Sequence, residues 1–143
     1  MKKTGFTFIE LLFVIMIIGV LVAVAVPRLK DAFDTMELST GALRLQTFMN
    51  YLRERAIVDG KVISLRIDNI AGQYWGKAKD DDKILKSESF PKDLEITGNN
   101  GQVQFYPNGA IDKAELKITD KKGNSVGLLT SGGYGRIKLQ DQK

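Results

Sequence analysis

Apolar residues follow one another almost without interruption near the start of the chain and become periodic later. From Phe6 to Val26 the sequence is apolar apart from Thr7, Glu10 and Gly19. As an α-helix this segment spans about 31 Å at ~1.5 Å per residue, which matches the ~30 Å hydrocarbon core of a bilayer. The pattern therefore predicts a membrane-spanning helix.

A second helical pattern begins after Pro27. Proline lacks an amide donor and disfavours helical geometry at the residue before it, so a kink is predicted there. Apolar residues then recur at alternating steps of four and three, as on one face of a helix. They are Leu38, Ala42, Leu45, Met49, Leu52 and Ala56. The stripe fits a short coiled-coil seam or a helix laid against a sheet, and its short length favours the sheet. Gly60 is a natural C-terminal stop.

After Gly60 the period becomes two. Ile63, Leu65 and Ile67 alternate with polar residues, as in a half-buried strand. Further strands are predicted at 73–77, 94–97, 102–106, 115–119, 125–129 and 136–140, while the polar stretch 79–93 is predicted to be a loop. A long helix followed by strands predicts an α+β domain with an antiparallel sheet.

Composition limits the chemistry that the chain can carry. It has 143 residues, enough for one domain with an added anchor, and neither cysteine nor histidine. Disulfides, thiolate ligands, thiol nucleophiles and the commonest general base are therefore excluded. Asp80, Asp81 and Asp82 are consecutive, whereas a calcium loop spaces its ligands at alternate positions, so a solvated loop is favoured. We predict no catalytic residue, no cofactor and no metal site.

Glu10 is the one charged residue within the apolar segment, and three interpretations of the segment compete. Ala23-Val24-Ala25 offers a signal-peptidase site, although typical apolar regions of signal peptides run only about 7–15 residues. In a plain anchor, a central charge costs roughly 2.5–3.5 kcal/mol, and less near the membrane surface or beside a helix N-terminus. In the third interpretation, Glu10 has a function.

The stretch KKTGFTFIELL resembles the class III signal of type IV pilins and type II secretion pseudopilins. That signal has a short basic leader ending in glycine, then phenylalanine, and a glutamate at the fifth position of the mature chain. The resemblance implies that a prepilin peptidase cleaves between Gly5 and Phe6 and methylates Phe6. It also implies that Glu10 pairs, during assembly, with a processed N-terminal amine of its own or a neighbouring subunit. Such a pair is stronger away from water.

The remainder of the chain resembles the GspH/FimT family of minor pseudopilins and minor pilins. The motifs, in order, are A-I-x-x-G at 56–60, a strand at 62–65, Trp75, F-x-P-x-G at 105–109 and a G-R-hydrophobic strand from 135. The resemblance implies a type IV pilin-like fold. In this fold a long N-terminal helix, its first half transmembrane, packs on an antiparallel β-sheet head.

These features predict a cleaved leader at 1–5, a transmembrane and filament-core helix at 6–27, and a periplasmic domain at 28–143. The domain comprises an amphipathic helix at 28–59 and a β-rich head at 61–140. The implied function is that of a non-enzymatic minor pseudopilin of type II secretion in the bacterial inner membrane. Its expected partners are the prepilin peptidase, other pilins or pseudopilins and the inner-membrane assembly platform. The alternative is a minor pilin of a type IV pilus.

A basic C-terminal region raises the further question of nucleic acid. The net charge is +4, and Lys121, Lys122, Arg136 and Lys138 lie near Tyr134, an aromatic residue on which a base can stack. Some FimT-type minor pilins capture DNA with such a region, so the resemblance implies these four as DNA contacts. A solvated sheet rim with scattered cations is the simpler interpretation, and it is the favoured one.

Overall fold

A computed structural model describes residues 7–81, 83–98 and 101–142 of the chain. This part of the chain forms one helix, α1 (Phe8–Asp59), and eight strands. The strands are β1 (Ile63–Asp68), β2 (Gln73–Ala78), β3 (Ile84–Ser89), β4 (Leu94–Thr97), β5 (Gln102–Phe105), β6 (Ala114–Asp120), β7 (Ser125–Thr130) and β8 (Ile137–Gln142). The chain divides into two compact units, with the boundary between Met36 and Glu37.

The first unit consists of the N-terminal part of α1. Phe8–Val26 has a mean hydropathy of 3.0 with none of the segment buried, so by length and composition it can cross a membrane. The backbone is helical on both sides of Pro27. The kink at Pro27 remains a prediction.

The second unit contains two antiparallel sheets, where the sequence predicted one. Sheet A has the strand order β3-β2-β1-β5, and sheet B has the order β4-β6-β7-β8. Consecutive pairing, as between β1 and β2 or β6 and β7, follows from the short turns that join those strands. The antiparallel architecture is confirmed. The division into two sheets follows from β4, which leaves the first sheet and pairs with β6.

The prediction of a loop throughout 79–93 is wrong, because Ile84–Ser89 forms strand β3. β3 lies at the edge of sheet A, and β2 is its only partner among the described strands. Four of its six residues are exposed, and only Leu85 and Glu88 are partly covered. An edge strand with mostly exposed side chains needs no regular alternation of apolar and polar residues, so the pattern gave no signal.

The predicted apolar stripe of α1 faces the core. All six of its residues are at most 4% exposed, and Phe48 is buried with them. They form one cluster with inward side chains of both sheets, such as Leu65 and Phe105 of sheet A and Leu116 and Leu128 of sheet B. The helix is thus laid against sheets rather than against a coiled-coil partner, as the length of the stripe predicted.

Two glycines allow close contact between α1 and the strands. A Cβ placed on Gly76 of β2 would lie 2.2 Å from Cδ2 of Leu52, and one on Gly41 of α1 would lie 2.8 Å from Cδ1 of Leu94. Both distances are shorter than carbon atoms tolerate. The helix is continuous through Gly41. Because Gly41 has no side chain, the helix can approach β4 at this position.

Gly60 marks the C-terminal end of α1. Gly60 takes a φ of 64° after the last helical residue, as predicted for a C-terminal stop.

On β3, Glu88 accepts a hydrogen bond from the Tyr74 hydroxyl at 3.0 Å and forms an ion pair with Lys86 at 2.8 Å. The hydrogen bond from Lys86 is the main cause of the lowered pKa of Glu88. Lys86 also lies 5.6 Å from the centre of the Phe48 ring, which links β3 to the helix.

The contact between Gly76 and Leu52 predicts a specific coupling. We expect Gly76→Ala to lower the free energy of unfolding of the head by about 1–3 kcal/mol, because the added methyl overlaps Leu52. In a Leu52→Ala background the same change should lower the free energy of unfolding much less, since the atoms that the methyl overlaps have been removed. Urea unfolding of the four proteins, followed by circular dichroism in detergent, measures this coupling. Gln73→Ala, at an exposed position of the same strand, is the control. Equal costs in both backgrounds would contradict the packing described.

Candidate assembly site at the helix N-terminus

The first turn of α1 is closed by two side chains, Thr7 and Glu10. The Thr7 backbone N–H donates to Oε2 of Glu10 at 2.8 Å, and the Thr7 hydroxyl donates to the same oxygen at 3.0 Å. In return, the backbone N–H of Glu10 donates to the Thr7 hydroxyl at 3.3 Å. This reciprocal arrangement is a capping box, in which a Thr at the N-cap and a Glu three residues later satisfy helix-end N–H groups.

The capping box explains how the chain accommodates a carboxylate in an apolar segment. Glu10 replaces part of its hydration with hydrogen bonds from the helix end, where the positive end of the helix dipole also favours negative charge. The spacing T-x-x-E at 7–10 is a readable capping signal, which our sequence analysis missed. Both contacts use Oε2, so with respect to the described residues Oε1 keeps its acceptor capacity toward an additional donor.

Two of the predicted site residues, Gly5 and Phe6, lie outside the described residues. Phe6 immediately precedes Thr7 in the chain. A cleavage after Gly5 would therefore create an α-amine one residue before the N–H group that already donates to Glu10. The backbone at Pro27 is helical, and its side chain is outside the described part.

The apolar side chains that follow the capping box are not covered by any of the residues that the structure describes. From Phe8 to Val26 every large apolar side chain is between 46% and 77% exposed. A continuous apolar surface of this size does not persist in water and marks contact with lipid or with other proteins. The capping box thus stands at the start of a helix that requires an apolar environment.

The structure places the four predicted DNA contacts in two pairs rather than one. Lys121 and Lys122 lie in the turn between β6 and β7, and Arg136 and Lys138 lie at the start of β8. Since β8 pairs antiparallel with β7, the two pairs are separated by the length of β7, roughly 17 Å at ~3.4 Å per residue. Lys121 forms an ion pair with Asp93, and Lys122 also has a contact partner.

The acidic stretch at 80–82 has the features of a loop. Oδ1 of Asp81 accepts a hydrogen bond from the backbone N–H of Lys83 at 3.0 Å, as in an Asx-turn. Asp82 lies outside the described residues. Within the described ranges, no three metal-ligating side chains come together.

Two family models match the chain. "Prokaryotic N-terminal methylation motif" matches residues 1–26, and "Type II transport protein GspH" matches residues 41–134. The type II secretion system protein H of Pseudomonas aeruginosa is 30% identical over 141 residues, which cover 95% of this chain and 81% of that protein. A fimbrial protein of Moraxella nonliquefaciens is 41% identical over 135 residues, covering 87% and 83%.

Solved structures share the fold at low sequence identity. The minor pseudopilin EpsH of the Vibrio cholerae type 2 secretion system gives a TM-score of 0.58 at 16% identity, covering 73% of this chain and 97% of that one. The type IV minor pilin FimU of Pseudomonas aeruginosa gives 0.60 at 19% identity, covering 72% and 92%. These similarities confirm the pilin-like fold. Because the GspH family model matches more than half of the chain, and the methylation motif covers the N-terminal part of α1, the chain belongs to the GspH family of type II transport proteins.

Proposed function

We propose that this chain is a minor pseudopilin that enters the periplasmic pseudopilus of a type II secretion system and so supports the export of folded proteins. The capping box at the start of an uncovered apolar helix, in a chain of the GspH family, is the observation that carries the proposal. Lipid covers this helix before assembly, and the helices of other pilins or pseudopilins cover it afterwards. The head then adds a subunit-specific surface to the filament.

The proposed processing and topology follow from the N-terminal sequence. Prepilin peptidase removes the leader at 1–5 and methylates Phe6, and the helix at 6–27 anchors the chain in the inner membrane. Lys2 and Lys3 favour a cytoplasmic N-terminus, which places the domain at 28–143 in the periplasm. The inner-membrane assembly platform is the proposed partner that extracts the subunit from the bilayer.

Glu10 is proposed to guide docking through the amine that cleavage creates. The capping box holds the carboxylate at the end of the helix rather than among its apolar side chains. In that position Oε1 can accept a hydrogen bond from the ammonium group of Phe6, either in the same chain or in the preceding subunit. The ion pair is strongest where water is excluded, so it stabilises a correctly docked subunit more than a misplaced one. Thr7 acts as a positioning residue, because it fixes the carboxylate through two hydrogen bonds.

A minor pilin of a type IV pilus is the second candidate function. The 41% identity to a fimbrial protein favours it, since that relative has the higher identity of the two compared above. Capture of DNA by Lys121, Lys122, Arg136 and Lys138 belongs to this alternative. The separation of these residues into two pairs reduces the charge that any one site offers to a phosphate backbone.

The mature N-terminus tests the processing step. We expect mass spectrometry of the protein purified from membranes to find a chain that begins with N-methylated Phe6. Gly5→Ala should leave the leader attached, whereas Gly19→Ala, within the helix, should not affect cleavage. A chain that begins at Val26 would instead identify a secreted protein cut by signal peptidase.

Substitutions at the capping box test the docking step. Removal of a charged partner from a desolvated pair costs about 1.5–3 kcal/mol, so Glu10→Gln should reduce incorporation into sheared or cross-linked filaments by at least about tenfold. Thr7→Val should cause a smaller loss, since a lost N-cap costs ~1 kcal/mol, and Thr7→Ser should restore incorporation. Immunoblots of processed subunit in membrane and filament fractions separate assembly from cleavage. Normal incorporation of processed Glu10→Gln would refute the role of the ion pair.

Deletion of the chromosomal gene distinguishes the two filament systems. The secretion function predicts loss of exoprotein release with normal twitching and DNA uptake, because only the pseudopilus is incomplete. Plasmid-borne wild-type protein should restore release, and the Glu10→Gln variant should not. Loss of twitching or of DNA uptake with normal release would establish the type IV pilus function instead.

A further inference from the structure

The outer face of sheet A carries a cationic surface whose residues are far apart in the sequence. Inward-facing Ile63 and Leu65 leave Ser64 and Arg66 of β1 on the opposite face. The register of β1 with β2 places Arg66 beside Trp75 and Ser64 beside Lys77. On the other side, β5 places Gln102 beside Arg66 and Gln104 beside Ser64.

Lys79 extends this surface beyond the end of β2. Its backbone N–H donates to the carbonyl of Val62 at 2.8 Å, which continues the pairing of the two strands. From Arg66, beside Trp75, to Lys79 the surface is roughly 14 Å long at ~3.4 Å per residue. We call Arg66, Trp75, Lys77 and Lys79 the sheet-A strip.

A depression of about 230 Å³ lies along the sheet-A strip. Three cations and three uncharged polar side chains line it, and no carboxylate does: Ser64, Arg66, Lys77, Lys79, Gln102 and Gln104. Arg66 and Lys79 are exposed, and in the described part of the chain neither forms an ion pair with an acidic residue. Lys77 is half-buried and already has a contact partner. The free positive charge thus lies at the two ends of the depression.

Acidic residues border the sheet-A strip on three sides. Asp68 lies beyond Arg66 on β1, Asp80 and Asp81 follow Lys79, and Asp112 lies beside β5. The Asp112 carboxylate accepts hydrogen bonds from the backbone N–H of Gln104 at 3.2 Å and from the Tyr106 hydroxyl at 3.0 Å. A long polyanion crossing the sheet would meet these carboxylates, whereas a ligand with two or three negative charges fits between them.

We propose that the sheet-A strip binds a short acidic segment of a partner protein. The planar guanidinium of Arg66 suits a carboxylate held by two hydrogen bonds, and Lys79 supplies a second charge at the opposite end. The half-buried ring of Trp75 gives an apolar contact area, while the amides of Gln102 and Gln104 can bind peptide groups. This surface lies wholly within the head and does not depend on the proposed docking role of Glu10.

Trp75 makes the proposal directly measurable, because it is the single tryptophan of the chain. The full chain in nonionic detergent is titrated with a triglutamate peptide blocked at both ends, and tryptophan fluorescence is followed. We expect a saturable change in fluorescence, and the affinity should fall as the salt concentration rises. Arg66→Gln/Lys79→Gln should weaken binding by at least about tenfold, because both ends of the depression lose their charge. The control Lys92→Gln/Lys117→Gln removes the same charge from exposed positions elsewhere and should stay within about twofold of wild type.

Several outcomes would overturn this proposal. It fails if the triglutamate peptide causes no saturable change, if the strip variant binds as tightly as wild type, or if the control variant loses as much affinity. It also fails if an oligothymidylate of four nucleotides binds the sheet-A strip more tightly than the triglutamate peptide does, since the surface would then be one for nucleic acid. Matching circular dichroism melts of the two variants ensure that the comparison concerns binding rather than folding.

Discussion

The uncovered apolar surface of α1 between Phe8 and Val26 is the constraint on which the rest of the molecule depends. Nothing in the described part of the chain buries this surface, so lipid or the helices of other subunits must do so. A polar group within such an environment needs a hydrogen-bond partner, and the backbone N–H and hydroxyl of Thr7 both donate to Glu10. We propose that cleavage before Phe6 supplies a charged partner as well, which would link processing to assembly.

Much of the head could be predicted from the period of its apolar residues. The stripe from Leu38 to Ala56 and the alternation at Ile63 and Leu65 are buried as expected, because each packs one face on a common core. Strand β3 could not be predicted, since a solvated edge strand needs no apolar face. The existence of two sheets also escaped prediction, because strand pairing depends on contacts between distant parts of the chain.

The candidate sites show the same division between local and long-range information. The motif that joins Thr7 to Glu10 spans four residues and can be read from the sequence. The sheet-A strip brings Arg66 beside Trp75 only through the register of two strands. Conversely, Lys122 and Arg136 are close in sequence, yet strand β7 holds them at opposite ends. Charge spacing along a chain therefore predicts a binding surface poorly when turns intervene.

The proposed ion pair of Glu10 is tested by the distance between the carboxyl carbon of Glu10 and the amine of Phe6 in assembled filaments. Solid-state NMR can measure this distance between subunits when this chain carries ¹³C-glutamate and the neighbouring pseudopilins carry ¹⁵N-phenylalanine. A second sample, in which this chain alone carries both labels, identifies pairing within one chain. The ion pair predicts a ¹³C–¹⁵N dipolar coupling, with N and O within about 4 Å, and the chemical shift of a charged carboxylate. A protonated Glu10 without coupling to any Phe6 amine would contradict it.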